Sequence, residues 1–321
     1  MTDVMEGLSA WPIDNALRPA TKEFQDATPL LANPDELRAL AKREGYLFFR
    51  GLFPQDTLST LRRQILEILQ RRQLLDPSKD FMEGIADIAA VNKLPAESVL
   101  GNGFPLDLYL EIQRLELFHQ VAHEPGLLNV FHCLFQAEPF PHPKTIARVV
   151  LPHELVYTTP PHQDFIHIQG TTETWTAWFP LSDCPRELGG LSILEGSHHM
   201  GVIDVAPKNG AGGLESILCG FNMEWAAGDY HLGDVVIFNS QTVHKALPNQ
   251  NSKQIRLSCD FRYQSVNDII DPRSLEPHVP NSWEEIYTGW TDNTLKYYWK
   301  KFDLTFSEWD DSIRWQKEKI C

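Results

Sequence analysis

The run PPHQDFIHIQG, residues 160–170, sets His162 and Asp164 two positions apart among apolar and uncharged neighbours. A carboxylate in such a stretch is expensive to bury unless a positive charge sits beside it, and a metal ion would supply one. Read as a strand, the run points side chains i and i+2 to one face, so one backbone segment would present an imidazole and a carboxylate side by side. A second imidazole, His244, follows the strand-like DVVIFN at 234–239. Two imidazoles and one carboxylate on one face of an octahedral ion form the facial set that holds non-haem Fe(II) and leaves positions open for a cosubstrate and O2. A 2-oxoglutarate cosubstrate also needs an anion anchor, and Arg256 lies twelve residues after His244, within QIRLSCDFRYQ. Its planar fork can bond a carboxylate bidentately, which Lys does less well. Arg262 shares the strand parity of Arg256 and is the reserve anchor or a substrate contact.

Positioning such side chains takes a frame. Asn33 as cap, Pro34 at the first position, Glu36, and the apolar face of Leu37, Leu40 and Ala41 predict a helix that Gly45 ends. YLFFR (46–50) follows as a strand. From Asp56 to about Arg72, Leu58, Leu61, Ile65 and Leu69 recur at helical spacing over a charged opposite face, an amphipathic helix that should lie across one side of a sheet. Helical stretches are expected around 81–91 and 107–123, with a Pro-rich break at 139–144. From residue 145 the texture changes to short apolar runs (TIARVVL, FIHIQG, TWTAWFPL, GLSILE, DVVIFN, QIRLSCDFRYQ) cut by turn residues, which suggests an antiparallel sandwich or barrel. Trp283, Trp290, Trp299, Trp309 and Trp315 mark a helical tail packed by its aromatics or bordering a pocket.

The chain has 321 residues, 42% of them hydrophobic, enough to bury a full core. A formal net charge of −15 argues against nucleic acid or an anionic membrane surface as partner and leans toward a neutral or cationic small molecule. The five cysteines are widely spaced with no CxxC pair and read as reduced thiols of a cytoplasmic protein. The first residues carry acidic side chains and no apolar h-region, and no run of 18 apolar residues occurs, so no leader or membrane span is expected. Oligomeric state is not legible.

The opening helix with GYLFFRGL (45–52), ARVVLP (147–152), HQD (162–164), the Trp178 strand, GGLSILEGSHH (189–199), GDVVIFNSQTVH (233–244) and IRLSCDFRYQ (255–264) together resemble the phytanoyl-CoA dioxygenase family of Fe(II)- and 2-oxoglutarate-dependent oxygenases. The resemblance implies a mainly β fold with flanking helices, a double-stranded β-helix or cupin-like jelly roll. It covers residues 33–265, leaving 1–32 as an N-terminal arm and 266–321 as a Trp-rich extension packed on the same domain. By position it makes His162, Asp164 and His244 the catalytic iron ligands and Arg256 the 2-oxoglutarate anchor, with Gln163 and Trp178 lining the cosubstrate site. The implied reaction is O2-dependent oxidation of a small-molecule metabolite, in keeping with secondary metabolism, with release of succinate and CO2.

The chain departs from the family at Ala246, where a hydroxyl residue often assists 2-oxoglutarate. Asp164 is present where related halogenases carry a small residue, which favours hydroxylation. The rival readings are a redox-silent metal- or sugar-binding jelly roll and a zinc hydrolase on the same three ligands. His198 and His199, adjacent on a strand, face opposite ways and read as structural, as do His119 and His123 at helical spacing. His167 is a candidate substrate contact. Segments 75–115 and 266–300 are expected to wall the substrate pocket.

Overall fold

The first helix forms where its capping residues place it. A computed structural model describes residues 13–95, 104–152, 158–251, 253–278 and 280–321. Residues 1–12 of the expected arm and 96–103 of the expected pocket wall lie outside the described residues. Helix α1 spans Pro34–Glu44; the Asn33 side chain accepts from the Glu36 amide, and Gly45, at φ 76°, takes the left-handed turn that ends it. Helix α2 spans Gln55–Arg71 and buries Leu58, Leu61, Ile65 and Leu69.

The strands in chain order are β1 (Lys22–Glu23), β2 (Tyr46–Phe49), β3 (Pro139–Pro141), β4 (Ile146–Val150), β5 (Trp175–Pro180), β6 (Leu191–Leu194), β7 (Val205–Pro207), β8 (Leu214–Ser216), β9 (Trp225–Ala227), β10 (Val235–Asn239), β11 (His244–Ala246) and β12 (Arg256–Ser265). The larger sheet runs β2-β10-β5-β12-β3, with β4 also paired to β12; the smaller runs β1-β9-β6-β11, and β7 and β8 form a hairpin. Strand β12 shows why the sheet has two characters. Leu257, Cys259, Phe261 and Tyr263 join Leu61, Ile65 and Leu69 of α2 in one core, while Arg256, Ser258, Asp260 and Arg262 alternate with them and belong to the other face. A second core lies between the sheets, where Tyr46, Trp178 and Phe238 of the larger meet Leu191, Ile193 and Ala246 of the smaller. Two sheets, antiparallel except where β1 joins β9 in parallel, closed over a common interior with helices on one outer face make a jelly roll.

Several local expectations change. FIHIQG is not a strand: Asp164–Ile166 is a single 3-10 turn, and His162 makes only an isolated bridge with His244. Pro160 and Pro161 offer no N–H to a ladder before it, and the 3-10 turn takes the following residues out of extended backbone. The Pro-rich break contains β3, an edge partner of Tyr263–Ser265, the place in a sheet that tolerates Pro. Helix around 81–91 is cut into a 3-10 turn and a single turn by Gly84 at φ 67° and the Asp87 cap. The Trp-rich segment is mostly irregular, with a single α-helical turn at Trp283–Ile286 between short 3-10 turns; Trp283, Trp290 and Trp299 pack with Phe140 and Ile270, while Trp315 is exposed. Among the described residues no helix is long and apolar enough to cross a membrane.

The expectation of five reduced thiols is corrected at two of them. Cys219 and Cys321 are joined by a disulfide across 102 residues, and only Cys133, Cys184 and Cys259 are free. The pairing follows from the last residues returning along the hairpin. Lys317 N–H donates to the Val205 carbonyl, and Lys319 bridges Asp14 at 2.6 Å and Glu215 at 3.0 Å. Replacing Cys321 by Ser is expected to lower the stability of the oxidised chain by about 2–4 kcal/mol in urea unfolding. Equal midpoints for the two proteins would show that the ion pairs alone hold this segment.

Candidate active site and metal centre

His162 and His244 reach one another through backbone. Each donates its amide to the other's carbonyl at 3.0 Å, which fixes the loop before the 3-10 turn against the start of β11. Their Nε2 atoms lie 3.6 and 3.8 Å from Asp164 Oδ1. One ligand atom from each of the three residues falls within 4.8 Å of the others, and all three side chains are buried. The opposite ring nitrogens settle the tautomer. His162 Nδ1 meets the Pro160 carbonyl at 2.8 Å and His244 Nδ1 meets the Thr242 carbonyl at 3.1 Å. A carbonyl only accepts, so both Nδ1 atoms donate there and both Nε2 atoms face the cluster. Backbone carbonyls behind ligating imidazoles are the usual support of a metal site.

The charges suit a divalent cation. Burial holds the His244 imidazole neutral, lowering it to about 3, with the neighbouring His162 adding to the effect. Burial would push the Asp164 carboxyl up, but the Arg262 guanidinium beside it holds it well below the usual carboxylate range. A His244 imidazole held neutral by burial, the His162 ring beside it and one ionised carboxylate, with a ligand atom of each within 4.8 Å of the others, fit Fe(II) in its facial set.

Arg256 opens β12 opposite Val150 and is buried. Its Nη1 donates to the Gly189 carbonyl, its guanidinium lies 5.8 Å from the Trp178 ring centre, and its Nε has no partner. Among the described residues no carboxylate pairs with it. A buried guanidinium with an unpartnered donor, in the cavity that holds the three ligand residues and Trp178, fits the distal carboxylate of 2-oxoglutarate. Ala246 brings no hydroxyl to this cavity, as its sequence position implied.

Three expectations resolve differently. Gln163 does not line the cosubstrate cavity: its amide donates to the Gly201 carbonyl at 2.7 Å and the Gln241 carbonyl at 2.6 Å and accepts from the Ile203 amide at 2.8 Å. It sits between two ligand-side neighbours and points the other way, so it is a brace. Arg262 is not a second cosubstrate anchor, because it is paired with Asp164 at 3.2 Å. His167 sits beside His162 with ring centres 6.0 Å apart and abuts Gly212 of the hairpin, outside the lining of the cavity.

Sequence reasoning missed Thr176, whose hydroxyl donates to Asp164 Oδ2 at 2.6 Å, and the pair of half-buried Arg148 Nε with buried Asp260 Oδ2 at 2.8 Å. It also missed Ser258, on the same face of β12 as Arg256, whose buried hydroxyl has no partner among the described residues. The parity of β12 could have flagged Ser258 and Asp260 once Arg256 was chosen. From the two expected pocket walls, Tyr109 and His278 hydrogen bond at 2.7 Å and flank Arg148. His198 and His199 are structural but on a 3-10 turn, bonding the Lys42 and Arg43 carbonyls near the end of α1. His119 bonds the Gln113 carbonyl at 2.8 Å.

A jelly roll that gathers two imidazoles, one carboxylate and an unpaired arginine in its interior defines a non-haem iron, 2-oxoglutarate-dependent dioxygenase. The chain belongs to the phytanoyl-CoA dioxygenase (PhyH) family, whose model matches residues 41–258. It is 26% identical over 271 residues to the 1-deoxypentalenic acid 11-beta-hydroxylase of Streptomyces exfoliatus, covering 79% of this chain and 89% of that protein. The enzyme of the same description from Streptomyces arenae is 25% identical over 273 residues, with the same coverage. Among solved structures, the epimerase SnoN in complex with Fe3+, alpha ketoglutarate and nogalamycin RO has a similar fold, with a TM-score of 0.52 at 18% identity over 75% of this chain and 87% of that one.

Two substitutions separate ligands from braces. Asp164→Ala is expected to remove measurable Mn(II) uptake in equilibrium dialysis while the chain stays folded. Gln163→Leu, which strands three backbone groups, should instead lower urea stability by about 2–4 kcal/mol and leave 2-oxoglutarate affinity within twofold of the parent. A selective loss of cosubstrate affinity there would return Gln163 to the site.

Proposed function

We propose that this chain is a hydroxylase that couples conversion of 2-oxoglutarate and O2 to succinate and CO2 with insertion of the second oxygen atom into an unactivated C–H bond of a small-molecule metabolite. The observation that carries the reading is the coincidence of the buried His162, Asp164 and His244 cluster with Arg256, a buried cation without a carboxylate partner among the described residues. His162, Asp164 and His244 hold Fe(II), and Arg256 takes the distal carboxylate of 2-oxoglutarate beside Trp178. When bound, the iron supplies O2 activation and hydrogen abstraction from substrate. The protein keeps the His244 imidazole neutral through burial, holds both rings by backbone carbonyls, orients the cosubstrate by the Arg256 fork, and lines the cavity with Trp178, Leu191 and Phe238, which keep bulk water away. A zinc hydrolase would have no use for the unpaired Arg256. The ionisable Asp164 leaves no place for a halide.

The substrate is read from the cavity rather than from the whole-chain charge. Around it Arg148, Arg256 and Arg262 outnumber Asp164 and Asp260, and a divalent ion with dianionic 2-oxoglutarate leaves that excess of one positive charge unchanged. An acidic metabolite fits this interior better than the neutral or cationic one that the net charge of −15 favours. The two Streptomyces relatives are named for hydroxylating an acid, which supports the same choice.

The test is O2 uptake and succinate release by Fe(II)-loaded protein with 2-oxoglutarate. Turnover should require all three components, and Arg256→Met should raise the 2-oxoglutarate KM roughly 10- to 100-fold, the loss of a charge-assisted pair. Iron uptake without cosubstrate-dependent O2 consumption would contradict the proposal.

A further inference from the structure

His162 and His244 are bridged to one another through backbone, and Asp164 lies outside that bridge. It begins a three-residue 3-10 turn rather than a strand, and the amides of His167 and Ile168 bond its carbonyl oxygen at 2.9 Å, leaving the side chain free to rotate so far as its own segment is concerned. Its orientation is imposed from the larger sheet. Thr176 of β5 and Arg262 of β12 are register partners on adjacent strands. Thr176 Oγ1 donates to Oδ2 at 2.6 Å, and Arg262 Nη2 lies 3.2 Å from Oδ2 and 3.4 Å from Oδ1. Oδ1 is the oxygen that faces both imidazoles, at 3.6 and 3.8 Å.

We infer that Thr176 and Arg262 are positioning residues that occupy Asp164 Oδ2 and so confine metal ligation to Oδ1. The inference rests on Asp164, His162 and His244 being the ligands. Its chemical consequence is a count of positions. A carboxylate that binds through both oxygens takes two places on an octahedral ion, which with two imidazoles leaves two; one that binds through a single oxygen leaves three. A chelating 2-oxo acid and O2 together need three. The clamp therefore decides whether the site has room for both reactants.

The cost of the arrangement argues that Arg262 is not there for stability. The residue is buried, and its Nε and Nη1 have no partner among the described residues. Unmet buried donors are unfavourable. A residue kept only to neutralise a buried acid would be expected to have its fork satisfied. Thr176 is equally telling, because its hydroxyl is buried within an otherwise apolar strand, between Trp175 and Ala177, and its one hydrogen bond goes to Asp164.

The experiment uses the full chain loaded with Co(II) alone, whose ligand-field absorption weakens as coordination number rises. Thr176→Val keeps the shape of the side chain and removes the donor; Arg262→Lys keeps the charge and removes the fork. Both are checked for a cooperative thermal transition, and Asp164→Ala runs beside them. The clamp predicts that the two variants still bind Co(II), that their spectra shift toward higher coordination, and that the Co(II)-loaded proteins bind 2-oxoglutarate roughly 10- to 100-fold more weakly. A purely structural role would lower the melting temperature and leave the spectrum of the folded protein as it was. Parental spectra and parental 2-oxoglutarate affinity in Thr176→Val would overturn the clamp while Asp164→Ala, having lost Co(II), upholds the ligand assignment. Retention of Co(II) by Asp164→Ala would overturn the assignment itself.

Discussion

A negative charge in the middle of a two-sheet sandwich is the constraint that the rest of this structure answers. Asp164 is shielded from water on all sides, and an isolated carboxylate in such a place would take up a proton rather than stay ionised. The Arg262 guanidinium and the Thr176 hydroxyl keep it ionised. The surrounding polar groups extend the same logic: Arg148 neutralises Asp260, and the two strands that carry them are directly paired. Buried ion pairs of this kind contribute little net stability, because desolvation offsets most of their attraction. Their presence on the inner face of β12 is explained by the site and not by the fold.

The division of β12 into two faces reconciles site and fold. Its odd-numbered residues belong to the core under α2, where burial of Leu257, Cys259 and Phe261 supplies favourable free energy in proportion to apolar area. Its even-numbered residues carry the chemistry. One strand thus fixes Arg256, Ser258, Asp260 and Arg262 at two-residue intervals on a rigid support, with β4 on one side and β5 on the other. The loop-borne ligands His162 and Asp164 are tied to this support by different means, the first through paired backbone bonds to His244 and the second through its own carboxylate. The hairpin of β7 and β8 closes over the same loop: the Ser216 amide donates to the Pro161 carbonyl at 2.8 Å, and Gly212 packs on His167 so tightly that a Cβ there would meet its ring at 2.8 Å.

What the sequence discloses follows the range of the interactions involved. Caps, apolar periodicity and strand runs are local, and α1, α2, β5, β10 and β12 form where those signals lie. Within the His, Asp, His and Arg set, His244 and Arg256 are legible because each opens a strand whose place in its sheet is fixed. His162 and Asp164 do meet, but for a reason other than strand parity: a 3-10 turn with an isolated bridge does the presenting. Gln163 shows the limit of positional likeness, since the residue between two ligands turns its amide to backbone on the far side. Thr176 was hidden as one more β-branched residue in a strand. The Cys219–Cys321 bond could not be read from spacing, because no local pattern relates cysteines that only the path of the chain brings together.

The central claim, that these three residues and Arg256 assemble one iron and 2-oxoglutarate site, is tested most directly by anaerobic titration of 2-oxoglutarate into the Fe(II)-loaded chain, followed by visible absorption. The account predicts a metal-to-ligand charge-transfer band that grows with cosubstrate, disappears in His162→Ala, and requires more 2-oxoglutarate to develop in Arg256→Ala. Bound iron with no such band at saturating 2-oxoglutarate would contradict it.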